Sequence, residues 1–443
     1  MERDSDARHI PCFGNVLNYT IEVDEEKIMT KRTPVPVVLA FLAFGTSVMA
    51  AAQDAAAPAP RPVEVRAHIS AGGSFLDDLK LEDLDLFEDG RPQTIRSLTL
   101  VRGGSVVRNE GPDAVPARRE RSYTLLFQAV DWDPKLEDVV GHLFGAVLRP
   151  GDAVTLVTPL KPYQLQKNAL AVRSKGDLSK SMAEVLRKDI SRGGGEYRGL
   201  INELKRLTRA IESGGGTSTT FDEDLESDSS MESGTFSLDM QIDRYRQSLM
   251  KLDAMRLVDE SKLLAFAGAL KGVPGQKTVV LFYQREYRPE ISASAMNGLM
   301  SLYQDNPDIL ANLMDLFQFY KREKTFDGDK VARAFADAGI DFHFIFMEKK
   351  SQRVYGATMR EQSEDVLPGF TRIVQGTGGS YRNESSPASA FKLAADVSGD
   401  YYILSYIPGS GVLAGAAGGF RTVEVRVDRP GAKVLSPLGY FAR

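Results

Sequence analysis

The chain has 443 residues, 42% hydrophobic and 26% charged, the balance of an ordinary globular protein with length for two or three domains. A net charge of −5, with acidic and basic residues mixed along the sequence, argues against a nucleic-acid partner or an anionic lipid surface. The only cysteine is Cys12, so the rest of the chain has no disulfide, thiolate nucleophile or cysteine ligand to use.

Residues 1–28 are charged and patternless and end in Asp24-Glu25-Glu26-Lys27-Ile28. Residues 29–52 have the parts of a secretory signal peptide: basic Lys31-Arg32, an apolar run over 35–44, and small-residue cleavage sites at Val48-Met49-Ala50 and Ala50-Ala51-Ala52. The expectation is therefore translation from Met29, with 1–28 a mis-annotated start, and export to the periplasm or the exterior. The apolar run is short for a membrane span, so none is expected after cleavage. Residues 53–62 are an Ala/Pro spacer.

A small β domain is predicted over 63–105. Residues 63–69 alternate as a half-buried strand does, Asp89-Gly90 marks a hairpin, and 94–101 reads as the returning strand. A linker follows at 106–120. From 121 to 400 strand-like runs (123–128, 153–158, 278–283, 340–347) alternate with helix-like ones (136–148, 178–188, 197–211, 239–270, 331–338), which predicts an α/β domain with a doubly wound, mainly parallel sheet. Two inserts interrupt it. Residues 213–237 are rich in Gly, Ser and Thr, carry Asp222, Glu223, Asp224, Glu226 and Asp228, and have the composition of a disordered loop. Residues 292–321 form an apolar helical pair, expected to pack on the sheet or, alternatively, to expose a Met-rich groove. Strands at 400–406, 420–427 and 433–435 make a C-terminal β meander over 400–443, expected to pack on or extend the main sheet.

The ligand end of such a sheet lies beyond the carboxyl ends of its strands. Gln128 ends the first central run and Gln284 the later one, and both are neutral where a hard cation would want carboxylates. Asp131, Trp132 and Asp133 follow the first strand. Arg285, Tyr287 and Arg288 follow the later one and, with Trp132, are residue types that anchor partners. Glu196 lies at the start of the helix after Gly193-Gly194-Gly195. His68, His142 and His343 have no metal-ligand spacing, and neither a G-x-S-x-G elbow nor a phosphate loop occurs.

Several phrases resemble one family in order: Leu81-Glu82-Asp83-Leu84-Asp85-Leu86-Phe87-Glu88-Asp89-Gly90, Val273-Pro274-Gly275-Gln276-Lys277, Thr377-Gly378-Gly379, Tyr401-Tyr402-Ile403-Leu404-Ser405-Tyr406 and Pro437-Leu438-Gly439-Tyr440-Phe441. Together, over 63–443, they are similar to the von Willebrand factor A-related proteins secreted by bacteria. The family's metal motif, DxSxS, aligns with Gln128-Ala129-Val130-Asp131-Trp132. Its metal-proximal threonine aligns near Gly195-Glu196 and its second aspartate with Gln284. All three positions depart, so the resemblance implies a degenerate metal site and no cofactor. The expected function is non-enzymatic adhesion-type binding of a protein or cell-surface ligand through the strand-end loops, at Gln128, Asp131, Trp132, Asp133, Glu196, Gln284, Arg285, Tyr287 and Arg288. Two alternatives stay open: a metal-dependent adhesin with a variant site at Asp131 and Asp133, and a diverged hydrolase on an α/β frame.

Overall fold

The computed structural model describes residues 62–113, 116, 119–165, 168–213, 238–321, 325–351, 354, 357–408 and 418–442. The signal-peptide and start-site readings, all of the spacer but Pro62, and all of the 213–237 insert but Ser213, lie outside these residues.

The chain opens with β1 (Val63–Ala71), β2 (Ser74–Phe75), β3 (Leu84–Glu88), β4 (Arg91–Gln93), β5 (Ile95–Arg102) and β6 (Ser105–Glu110). Next come β7 (Arg121–Gln128), α1 (Lys135–His142), β8 (Ala153–Val157), β9 (Pro162–Leu165), α2 (Ala169–Val172), α3 (Lys175–Gly193) and α4 (Gly195–Glu212). The middle of the chain supplies α5 (Leu238–Arg256), α6 (Glu260–Lys271), β10 (Gln276–Gln284), β11 (Tyr287–Glu290), α7 (Ala293–Leu302), α8 (Pro307–Tyr320) and α9 (Gly328–Asp337). The remainder is β12 (Ile340–Met347), β13 (Thr358–Glu361), α10 (Leu367–Thr377), β14 (Tyr381–Glu384), α11 (Pro387–Gly399), β15 (Asp400–Tyr406), β16 (Phe420–Val427), β17 (Ala432–Leu435) and β18 (Gly439–Phe441).

The protein is mixed α/β. Its central sheet runs β14-β12-β10-β7-β8-β9, parallel throughout except for the antiparallel edge strand β9. Every residue of β10 and β12 is buried, as expected of strands paired on both sides and covered on both faces. One face packs Phe127, Leu156 and Phe282 against Leu136, Leu186 and Phe391 of α1, α3 and α11. The other packs Leu281, Phe342 and Phe344 against Leu263, Phe335 and Phe370 of α6, α9 and α10.

A third core lies beyond the strand ends. Leu204, Tyr245, Leu249, Leu299, Leu313 and Leu316 join α4, α5, α7 and α8 into a helical unit, and Val130 from the β7–α1 loop is buried in the same cluster. The 292–321 pair is therefore largely core, although Leu302, Met314 and Phe317 remain exposed. The predicted helix over 239–270 is two helices. The chain breaks where the Asp259 carboxylate accepts the N–H groups of Ser261 and Lys262 to start α6.

The β strands at the two ends of the chain form one unit. β15 lies between β1 and β5, antiparallel to both, in the order β17-β1-β15-β5-β6. β16 pairs with β3 in a second sheet, β18-β16-β3-β4. The Asp89-Gly90 hairpin forms as predicted, with φ of 48° and 74° at its two central residues. The strand after it, however, leaves that sheet and pairs with β15. The C-terminal strands likewise join the N-terminal ones and do not extend the central sheet. The reason is burial on two faces: Tyr402, Leu404 and Tyr406 enter the β core with Val65, Leu86 and Leu100, while Tyr401 and Ile403 pack with Val101 on the opposite side. Among the described residues, no helix is long and apolar enough to cross a membrane.

A chain ended after Gly399 loses the strand between β1 and β5. Residues 63–110 are expected to be unfolded in it, read as rapid proteolysis at those residues while the central sheet keeps its protection.

Candidate functional site

The geometry at the strand ends turns on Gln284. Its side-chain carbonyl accepts the backbone N–H groups of Val130 and Asp131, both at 3.0 Å, and its Nε2 donates to the Asp131 carbonyl at 3.2 Å. A carboxylate at this position would accept the same two N–H groups but could not donate to the carbonyl. The amide therefore ties the β7–α1 loop to the end of β10 with a set of bonds that suits glutamine in particular. Gln128 is buried beside it.

Asp131 meets two cations. Its Oδ2 pairs with the Lys349 ammonium and its Oδ1 lies 3.5 Å from Nη1 of Arg198. Arg198 also donates to the Val130 carbonyl at 2.6 Å and to the Ser191 carbonyl. Asp133 is used locally, accepting the Lys135 N–H at 3.0 Å at the start of α1. Trp132 is half-buried against the α1 side of the sheet. Glu196 is exposed in the first turn of α4. The joint between α3 and α4 is Gly194, where a Cβ would come within 2.0 Å of the Val130 oxygen, so only glycine lets the two helices meet over the loop.

After β10 the chain alternates between outside and inside. Arg285 is half-buried, stacks 4.9 Å above the Phe346 ring and donates to Glu361 at 3.0 Å and Asn383 at 3.2 Å. Tyr287 is half-buried. Arg288 points inward: it is buried, donates to Glu290 at 2.9 and 2.6 Å, and lies over the rings of Phe319 and Tyr320. Arg288, Gln128 and Gln284 therefore hold the architecture. The surface that remains is Asp131, Trp132, Asp133, Glu196, Arg285 and Tyr287.

Sequence reasoning missed Arg198 and Lys349, because nothing in local spacing marks a pair 67 or 218 residues away from its partner. Lys205, on the same side of α4, titrates below the ordinary lysine range because of burial and of the nearby Lys349 and Arg209 charges. The strand-end face thus carries charges of both signs: Arg198, Lys205, Lys349 and Arg285 beside Asp131, Asp133 and Glu196. Also missed was a buried network beneath it, in which Arg256 binds Glu286 at 2.7 Å, Asp365 at 3.0 Å and the Gln362 carbonyl. Burial pushes the Glu286 carboxyl up, and the Arg256 charge opposes the shift.

Among the described residues, no cluster of three or more His, Cys, Asp or Glu could hold a metal ion. No family model, curated protein or solved structure matches the chain.

The described histidines share no hydrogen bond. His68 is bonded through Nδ1 to the Asp400 carbonyl at 2.7 Å, and His142 meets the Phe391 ring edge-on. His343 is fully buried. The Ser380 N–H donates to its Nδ1 at 3.1 Å, which places the ring proton on Nε2, 2.8 Å from Ser398 Oγ. Burial, helped by the charges of Arg66 and His68, lowers this imidazole to about 3. It stays neutral and ties β12 to β14 and α11, its two nitrogens taken by Ser380 and Ser398 with no carboxylate on either among the described residues.

Two outcomes follow. Gln284→Leu leaves the Val130 and Asp131 N–H groups without their acceptor, and should cost about 1–3 kcal/mol in urea unfolding and speed hydrogen exchange at those two amides. For His343 the folded value lies below the unfolded 6.5, so the unfolded chain binds the extra proton between those limits. Its contribution is complete above 6.5 and is lost as pH falls towards 3. Between pH 6 and 4.5 the protein should lose about 1.4 kcal/mol per pH unit more than His343→Gln does, measured as the difference in slope.

Proposed function

We propose that this chain is an exported, non-enzymatic interaction protein, a degenerate von Willebrand factor A-like domain joined to a β unit. It binds a protein or cell-surface ligand through its strand-end loops, without a metal. The observation that carries this reading is the filling of the strand-end position: Gln284 closes the β7–α1 loop on itself, and Asp131 already has Lys349 and Arg198 as counter-charges. The order β9-β8-β7-β10-β12-β14, with helices on both faces, supports a doubly wound frame for it. Arg198, Lys205 and Lys349 beside Asp131, with Asp133 and Glu196 on the same face, favour a ligand recognised through charge, with association that weakens as salt rises.

Thermal unfolding in EDTA and in excess magnesium, manganese or calcium tests the metal-free reading. The expected result is the same curve in all four. A cation held at ~100 times its dissociation constant would add about 2.7 kcal/mol, and a rise of that size that Asp131→Ala abolishes would overturn the reading. Binding is tested by placing a photo-crosslinker at exposed Glu196, with exposed Lys433 on β17 as the control. A discrete adduct from position 196 alone is expected on cells. Equal labelling from both positions counts against the strand-end loops.

A further inference from the structure

A recess lies at the other end of the central sheet, where the starts of β10 and β12 meet β1 and β15. The nine-residue length of β10, from Gln276 to Gln284, puts it roughly 25 Å from the strand-end loops. It encloses about 240 Å³, room for a molecule of a few heavy atoms. One wall is apolar, with Val65, Ile403 and Val423. The rest carries three cations, Arg66 from β1, Arg119 from the linker and Lys277 from β10, and three carboxylates, Glu64, Asp341 and Asp337, of which Asp337 pairs with Lys271 outside the recess lining.

Two of the three cations are matched. Arg66 pairs with Asp341, and both terminal nitrogens of Arg119 lie 3.0 Å from Glu64 Oε2. Lys277 differs. The residue is 7% exposed, yet its ammonium makes a single hydrogen bond, 2.8 Å to the Val273 carbonyl, and no ion pair among the described residues. An ammonium carries three donors, and burying them without acceptors or a counter-charge is costly. Burial and then the Arg119 charge hold Lys277 below the ordinary lysine range. Burial and the same neighbour act on Arg66, which falls to about 10. The polar wall is fixed in advance: Tyr401 OH donates to Gln276 Oε1 at 3.3 Å, and Gln276 Nε2 donates to Asp341 at 3.2 Å.

We propose that this recess binds a small organic anion, a short-chain carboxylate or a phosphate monoester, with its charged head on Lys277 Nζ beside Arg119 and its apolar part along Val65 and Ile403. Such a ligand supplies the counter-charge Lys277 lacks. It also touches residues of both the β unit and the central sheet, so it clamps the seam between them. The inference uses none of the strand-end residues and stands or falls apart from the function proposed above.

The test is thermal unfolding of the protein with butyrate and, separately, methyl phosphate, at constant ionic strength set with sodium chloride. A saturable rise with at least one of them is expected. A rise with butyrate alone assigns a carboxylate ligand, and with methyl phosphate alone a phosphate ester. Lys277→Met, which keeps the buried stem, should weaken the responding anion about tenfold or more, the worth of one charge-assisted hydrogen bond. Lys350→Met, at an exposed lysine, should not. No saturable response to either anion, or an undiminished one in Lys277→Met, overturns the proposal. Should Lys277→Met fail to fold, titration calorimetry on Arg119→Met decides: weaker binding supports the site and unchanged affinity overturns it.

Discussion

The strand Asp400–Tyr406 is the constraint on which the rest of the molecule depends. By lying between β1 and β5 it joins segments more than 300 residues apart, and everything between them must fit inside that closure. Its two faces serve different cores, one within the β unit and one towards the central sheet. The preceding helix α11 packs on the central sheet and runs directly into it, so the two units share an uninterrupted stretch of chain at their boundary. The His68–Asp400 and Phe441–Asp337 hydrogen bonds reinforce the same seam.

At the other end, the strand-end loops are held by neutral and internally compensated groups. An amide with one acceptor and two donors matches a backbone that offers both signs of dipole, which a carboxylate cannot do without help. Once Gln284 has that role, the charge on Asp131 requires a counter-ion, and Lys349 and Arg198 supply it from different elements. The helical unit of α4, α5, α7 and α8 then closes over Val130, leaving a smaller surface than the loops alone suggest.

Much of the frame was legible because its signals are local. The runs at 278–283 and 340–347 are apolar throughout because both strands are central, and Asp89-Gly90 specifies its turn by the left-handed backbone both residues tolerate. Thr377-Gly378-Gly379 likewise marks the left-handed end of α10. α11 was overlooked, although Phe391, Ala394 and Val397 recur every three residues after the Ser386 cap. The pairing of 400–406 with β1 was not legible, since a strand buried on both faces reads alike in either sheet. At the site, the buried glutamines could be picked out as unusual. Their bonds, and the cations on Asp131, depend on side chains brought together only by the finished fold.

The position of β15 also has a consequence in time. The chain is made from its amino end, and β1, β3 and β5 emerge long before the strands that complete their sheets. Until residues 400–427 arrive, those strands present open edges, while the central sheet, complete by Glu384, can already assemble. The last tenth of the polypeptide thus decides when the first part becomes structured. Joining ends so distant carries a loop-closure cost that slows the final step.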